Sequence, residues 1–158
     1  MVTTRKVRFG DGLYYSLSNY SAHEIVMNGH NWPTSEHAYQ QSKFINTVGN
    51  YEIRNQIKYS DSPAKAKEIA HDNRNKYRTE WRLPSFKVYT MYGILKVKAL
   101  KHEEVRRCLF STKNREIVEI NPSDSFWAGC GNNSQNWLGK CWMRVRSEIW
   151  SDLCLEFK

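Results

Sequence analysis

Three polar side chains, Glu36, Gln40 and Lys43, fall at i, i+4 and i+7 within the segment Trp32 to Phe44. If that segment is helical, a rotation of about 100° per residue gathers them on one narrow arc, with Tyr39 beside them. An acid, an amide and an amine so placed can move a proton, orient a substrate and attack an electrophilic carbon. The same spacing also describes an ordinary solvated face, and a glutamate in a helix's first turn is favoured there by the macrodipole. Trp32, His37, Tyr39 and Phe44 weigh against that plainer reading, because they leave the helix no clean outer side for solvent.

A second group lies between Glu119 and Gly139. Glu119 and Asp124 precede the aromatic pair Phe126-Trp127, and a stretch rich in Gly and Asn then runs through Asn136 to Gly139. A carboxylate can hold a pair of ribose hydroxyls, an aromatic ring can stack on a base, and glycine backbone at a helix start can approach a phosphate. Each part has an ordinary alternative. Asp124 suits a turn, and Trp127, like Trp81, Trp137 and Trp142, suits a core. Walker A, GxGxxG, GxSxG and HExxH patterns are all absent from the sequence. Cys108, Cys130, Cys141 and Cys154 lack zinc-site spacing and read as buried free thiols, so neither a metal nor a cofactor is expected.

The elements needed to position these residues are legible in outline. Residues 5–9 alternate like a strand. Residues 24–27 and 30–32 flank Asn28-Gly29, a pair that favours the type I′ turn of a tight hairpin. Thr34 predicts the cap of a helix running to about Ile45, with Pro33 just outside it. A short helix is expected over 50–58, and another starting at Ser62-Pro63. Pro84 opens a long one to about Leu100, whose apolar stripe runs through Val88, Met91, Tyr92, Leu95 and Ala99. Val105 to Phe110 continues helical, residues 117–120 read as a strand, and a final helix from about Lys140 to Leu155 offers Trp142, Val145, Ile149, Trp150 and Leu153 to a core.

The fold class expected is therefore mostly α (α+β), as one domain over 1–158, since no repeat or linker divides the chain. Hydrophobic residues at 40% and aromatics at 13% exclude a disordered chain. No apolar run reaches membrane-spanning length and the N-terminus has no apolar leader, so a cytoplasmic protein without a membrane partner is expected. A formal net charge of +8 suits a phosphorylated ligand or nucleic acid, although it is spread along the chain rather than gathered in a tail.

Taken together and in order, these segments resemble the NADAR (YbiA-like) family. The resemblance rests on Leu17-Ser18-Asn19-Tyr20, on the run from Gly29 to Gln40 containing Trp32-Pro33-Thr34-Ser35-Glu36-His37, and on Lys43-Phe44. Ser62-Pro63, Trp81, Met91, Lys96, Val118-Glu119, Asp124, Trp127, Asn136, Leu138-Gly139 and Met143-Arg144-Val145-Arg146 follow at family-like spacing. The chain departs from the pattern at Ala128, where the family usually has glycine, and in a slightly shorter loop after Asp124. The resemblance implies a compact, mostly helical fold and hydrolysis of an N-glycosidic bond to a phosphorylated ribose. Two substrates are associated with it: ADP-ribose on guanine, free or within DNA or RNA, and phosphoribosylamino-pyrimidine intermediates of riboflavin synthesis. It implies Glu36 as general acid and base and Lys43 as the group attacking the anomeric carbon, through a Schiff base. Asn19, Trp32, Gln40, Trp81, Lys96, Glu119, Asp124, Trp127 and Asn136 become substrate-binding candidates, with Glu119 and Asp124 on the ribose or base and Lys96 on a phosphate. A non-catalytic ADP-ribose or nucleotide binder, or a basic nucleic-acid scaffold, would lack use for the Glu36 and Lys43 pair.

Overall fold

The computed structural model describes residues 5–156, and their side chains as far as Leu153. In chain order the elements are β1 (Val7–Phe9), β2 (Ile25–Met27), β3 (His30–Trp32), α1 (Ser35–Gln41), α2 (Tyr51–Lys58), α3 (Pro63–Asp72), α4 (Pro84–Lys101), α5 (Glu103–Ser111), β4 (Ile117–Glu119) and α6 (Trp137–Glu156). Short 3-10 turns intervene, including one over Gly12–Leu17 that the local pattern did not announce. The fold is α+β and mostly helical, as expected. The chain forms two compact units: residues up to Ser18 with those from Lys98 onward, and Asn19–Val97.

In the first unit β1 pairs with β4 in parallel, Val7 opposite Ile117 and Phe9 opposite Glu119. Val7 and Phe9 turn inward and Arg8 outward, as the two-residue period of a strand requires. On α6, Leu138, Cys141, Trp142, Val145 and Ile149 form the buried stripe, and the Trp142 Nε1–H donates to the Leu17 carbonyl at 2.9 Å. Val105 and Leu109 of α5 are buried as well.

Two residues expected in this core are not there. Trp150 is 58% exposed and Leu153 37%. A helix of 20 residues runs about 30 Å, whereas the three-residue β4 spans about 10 Å, so α6 outruns the strand it packs on.

The second unit opens with the β2–β3 hairpin, Ile25 opposite Trp32 and Met27 opposite His30. Asn28 (φ 53) and Gly29 (φ 75) take the left-handed conformations of the expected turn. Ser62 caps α3, its hydroxyl accepting from Lys65 N at 3.2 Å, with Pro63 at the first helical position. α1 packs on α2 and α3 around Phe44, Ile53, Ile57, Ala66 and Ala70. Burying one such Ile or Phe contributes about 1.5–3 kcal/mol. On α4 Met91, Ile94 and Leu95 are buried, as are Lys98 and Ala99 in the part counted with the first unit, while Val88 and Tyr92 are half-buried. The stripe is thus rotated slightly from the one read in the sequence, and it takes in a lysine.

Among the described residues no helix is long and apolar enough to cross a membrane. Cys141 is buried, but Cys108 and Cys130 are half-buried rather than core thiols; the Cys154 side chain lies outside the described residues.

Candidate functional site

The cap of α1 is built as the sequence predicts. Thr34 Oγ1 accepts from His37 N at 3.3 Å and lies 2.8 Å from His37 Nδ1. The other ring nitrogen of His37 reaches Ser60, 3.1 Å from its hydroxyl. Burial lowers the His37 pKa, so the imidazole serves as a neutral staple between the helix start and Ser60.

All seven residues of α1 are buried, so the polar stripe faces inward and the solvated-face reading fails. Glu36 is 7% exposed and Gln40 2%. A buried carboxylate needs donors, and Gln40 Nε2 supplies one to Glu36 Oε1 at 2.6 Å. Glu36 N in turn donates to the Asn19 carbonyl at 3.1 Å. Asn19 Nδ2 is turned to the Met91 sulfur, 3.5 Å away. Each amide nitrogen therefore has a partner, while Gln40 Oε1, Asn19 Oδ1 and the Ser35 hydroxyl are buried with no protein partner among the described residues. A buried polar atom left unpaired costs about 1–3 kcal/mol, and native proteins retain few of them. Ser35 and Gln40 lie on α1 and Asn19 bonds to its backbone, so these open valences could be met by a bound ligand.

The helix stops at Gln41, short of the Ile45 expected, and Lys43 lies beyond its end. The cause is local. Gln41 Nε2 and Ser42 Oγ both donate to the Ala38 carbonyl, at 3.1 and 2.7 Å, taking the acceptor that Ser42 N would need to continue the helix. The chain tightens into three-residue turns through Phe44, and Arg78 N ties down the Lys43 carbonyl at 2.8 Å. Lys43 is thus held by its surroundings rather than by helical period.

Those surroundings are aromatic. Its Nζ lies 5.0, 5.6 and 5.9 Å from the ring centroids of Tyr77, Tyr39 and Trp81, and 3.4 Å from the Tyr77 hydroxyl. Trp81 is fixed against Tyr39 and Phe86 at 5.0 and 6.0 Å. Ring faces favour the ammonium, and so does the charge of Glu36. Loss of water outweighs both, and with help from Lys67 and Lys87 it lowers the Lys43 pKa to about 8. Burial raises the pKa of Tyr77, which keeps that phenol protonated.

The loop after β4 is assembled differently. Asp124 Oδ1 accepts from Phe126 N and Trp127 N at 3.0 and 2.8 Å, the turn role that its residue type allows. Asn136, at φ 52, donates from Nδ2 to the Ile117 carbonyl at 2.9 Å and accepts from Glu119 N at 3.3 Å. Its amide stitches the loop to β4. Trp127 is half-buried and meets Phe126 edge-on at 4.9 Å, and Glu119 is half-buried at the end of its strand. Trp32 is 2% exposed, its indole N–H donating to the Met27 carbonyl at 3.4 Å. Lys96 is half-buried on α4.

The structure therefore brings Asn19, Glu36, Gln40, Lys43 and Trp81 together in the second unit, and places Glu119, Asp124, Trp127 and Asn136 in the first. Sequence reasoning missed Tyr77 and Lys87 and gave Lys67, which falls at family-like spacing, no role; all three reach Lys43 from other elements and share no period with it. It also missed Lys98, fully buried, with Nζ donating to the Ser18 carbonyl at 2.8 Å and its pKa lowered by burial to about 7. A signal existed there, because Lys98 lies seven residues after Met91 on the buried side of α4. Among the described residues no cluster of His, Cys, Asp or Glu has the makings of a metal site.

Comparison with known proteins agrees with this architecture. The chain is 36% identical over 138 residues to an N-glycosidase of Nostoc punctiforme, covering 86% of each. It is 31% identical to the N-glycosidase YbiA of Escherichia coli, over 86% of this chain and 82% of that one. The solution NMR structure of the E. coli YbiA protein superposes with a TM-score of 0.83 at 28% identity, over 98% of this chain and 90% of the other. A chloroplastic riboflavin biosynthesis protein of Zea mays, PYRR, is 35% identical over 87% of this chain, which spans only 24% of that protein's length. The family description "NADAR domain" matches residues 9–150, a span that takes in residues of both units and every candidate site residue, and the chain belongs to the NADAR family.

Proposed function

We propose that the chain is an N-glycosidase in which Glu36 protonates the departing base and Lys43 captures the ribose carbon it leaves. The observation that carries this reading is the amine of Lys43, stripped of water inside an aromatic box and coupled electrostatically to a buried carboxylate. With a pKa of about 8, the Lys43 ammonium gives up its proton more readily than an ordinary lysine. In the proposed sequence the Lys43 ammonium first passes a proton to the Glu36 carboxylate, and that proton moves to the base nitrogen as the C–N glycosidic bond breaks. The Nζ lone pair bonds to the anomeric carbon, the ring oxygen takes up the proton released from nitrogen, and the opened sugar remains as an imine on Lys43. Water, activated by the Glu36 carboxylate, then hydrolyses the imine and frees both sugar and lysine. Gln40 holds the carboxylate in place, and the open acceptors of Gln40 and Asn19 suit ribose hydroxyls or base N–H groups.

The substrate we favour is ADP-ribosylated guanine, as a nucleotide or within DNA or RNA. Lys67 and Lys87 set positive charge around Lys43 where a pyrophosphate would be welcome, and the net charge of +8 suits a polyanion. A second reading, removal of phosphoribosylamino-pyrimidine intermediates of riboflavin synthesis, is favoured by the maize relative, whose name makes it a riboflavin biosynthesis protein. Incubation with each substrate decides between them. Release of ADP-ribose from the guanine adduct, with a borohydride-trapped sugar on Lys43, is expected. Release from the pyrimidine intermediates alone would select the second reading, and turnover of neither would remove the glycosidase assignment.

A further inference from the structure

A groove of about 630 Å³ lies on the first unit, between the end of α5 and the second half of α6. Phe110, Lys113, Asn114, Arg146, Ser147 and Trp150 line it, and among its described lining residues none is acidic. Trp150 is 58% exposed, and Phe110 meets it edge-on at 5.3 Å and 83°, which orients the indole and leaves much of its surface open. Arg146 Nη1 donates to Thr112 Oγ1 and to the Arg115 carbonyl, at 2.6 and 3.0 Å. Arg115 in turn donates to the Thr112 and Ser111 carbonyls and to the Tyr14 hydroxyl. Both guanidinium groups are thus held by neutral oxygens. Among the described residues neither they nor Lys113 pair with a carboxylate. Burial and the nearby charge of Arg115 together lower the Arg146 pKa, as expected where positive charge is left uncompensated.

Fixed cations without counter-ions beside an open indole are the elements that bind single-stranded nucleic acid, cations following the phosphates and the ring taking a base. We propose that this groove holds a segment of single-stranded nucleic acid, with a base stacked on Trp150 and phosphates at Lys113 and Arg146. The proposal goes beyond the glycosidase reading: none of these residues takes part in the chemistry assigned to Glu36 and Lys43.

The test is fluorescence anisotropy with a labelled, unmodified oligodeoxythymidine at low salt. Trp150→Ala should weaken binding roughly ten- to a hundredfold, the span expected for one stacked base. Lys113→Asn, a residue that tolerates the left-handed backbone found there (φ 53), should lower the slope of log affinity against log salt by about 0.7. Glu36→Gln should leave affinity unchanged, and circular dichroism verifies that each variant folds. The proposal is overturned if the wild-type protein does not bind the strand, if both groove variants bind it like wild type, or if a duplex binds equally well. Failure to release ADP-ribose from a modified strand would remove the guanine adduct as the glycosidase's substrate and leave these binding results standing.

Discussion

The segment around α1 and the loop between β4 and α6 carry the same kinds of residue: a carboxylate, a side-chain amide and tryptophan. They use them in opposite ways. In the loop, Asp124 accepts from two backbone N–H groups and both ends of the Asn136 amide bond to β4. Around α1, Gln40 and Asn19 keep buried acceptors that no group among the described residues fills, and Lys43 sits desolvated among three rings. Chemistry is therefore legible less in residue type than in which polar valences the fold leaves open. A satisfied carboxylate shapes the chain, and an unsatisfied neighbourhood awaits a ligand.

This contrast can be broken experimentally. The largest effects are expected at α1: Lys43→Met and Glu36→Gln should each reduce turnover about a thousandfold or more while the circular dichroism spectrum is retained. Lys43→Met should also abolish the borohydride adduct. An adduct that persists, or moves to Lys96, reassigns the nucleophile. Next comes pH. Burial holds the Lys43 pKa at about 8, below the ordinary lysine value. Because Glu36 must carry a proton while Lys43 gives one up, the pair works with one proton between them. kcat should therefore fall about tenfold per unit above about 8, where that proton is lost, and a profile still flat at pH 10 would remove the lysine from the rate-limiting chemistry.

The loop should answer in stability instead. Asn136→Ala strips partners from the Ile117 carbonyl and the Glu119 N–H, at a cost of about 2 kcal/mol or more. A Tm fall of roughly 4–8 °C by calorimetry would follow, with turnover per folded molecule little changed. The smallest effect belongs to Asp124→Asn, whose amide oxygen can still accept both turn N–H groups. Turnover within about threefold of wild type is expected; a loss beyond tenfold would place Asp124 against the substrate and dissolve the contrast.

Much of the fold could be read locally. Asn28-Gly29 specified a hairpin, Ser62-Pro63 a helix start, and the period beginning at Val88 specified α4, because each depends on neighbours a few residues away. The premature end of α1 could not be read so, because it depends on which way the Gln41 and Ser42 side chains turn. The box around Lys43 was illegible for another reason: Tyr77 and Trp81 arrive from more than thirty residues away, and no period links them to it. Glu36 and Gln40 were visible as a stripe, but only burial distinguishes a buried stripe from a wetted one. Strands β1 and β4 were each visible, while their parallel pairing joins residues more than a hundred positions apart.

Gly139 and Asn136 form a couple with implications for any attempt to redesign this chain. A Cβ on Gly139 would overlap the Ile117 carbonyl oxygen and come within 2.6 Å of both polar atoms of the Asn136 amide. The first turn of α6 can lie against β4 only while one position stays bare and the other supplies the bridging amide. A single-site library should therefore score both as intolerant for what is one shared constraint. A smaller residue at 136 would not rescue a side chain at 139, because the Ile117 carbonyl would still stand in its way. Designers recruiting this scaffold for new substrates would do better to diversify the surroundings of Lys43 and leave that couple untouched.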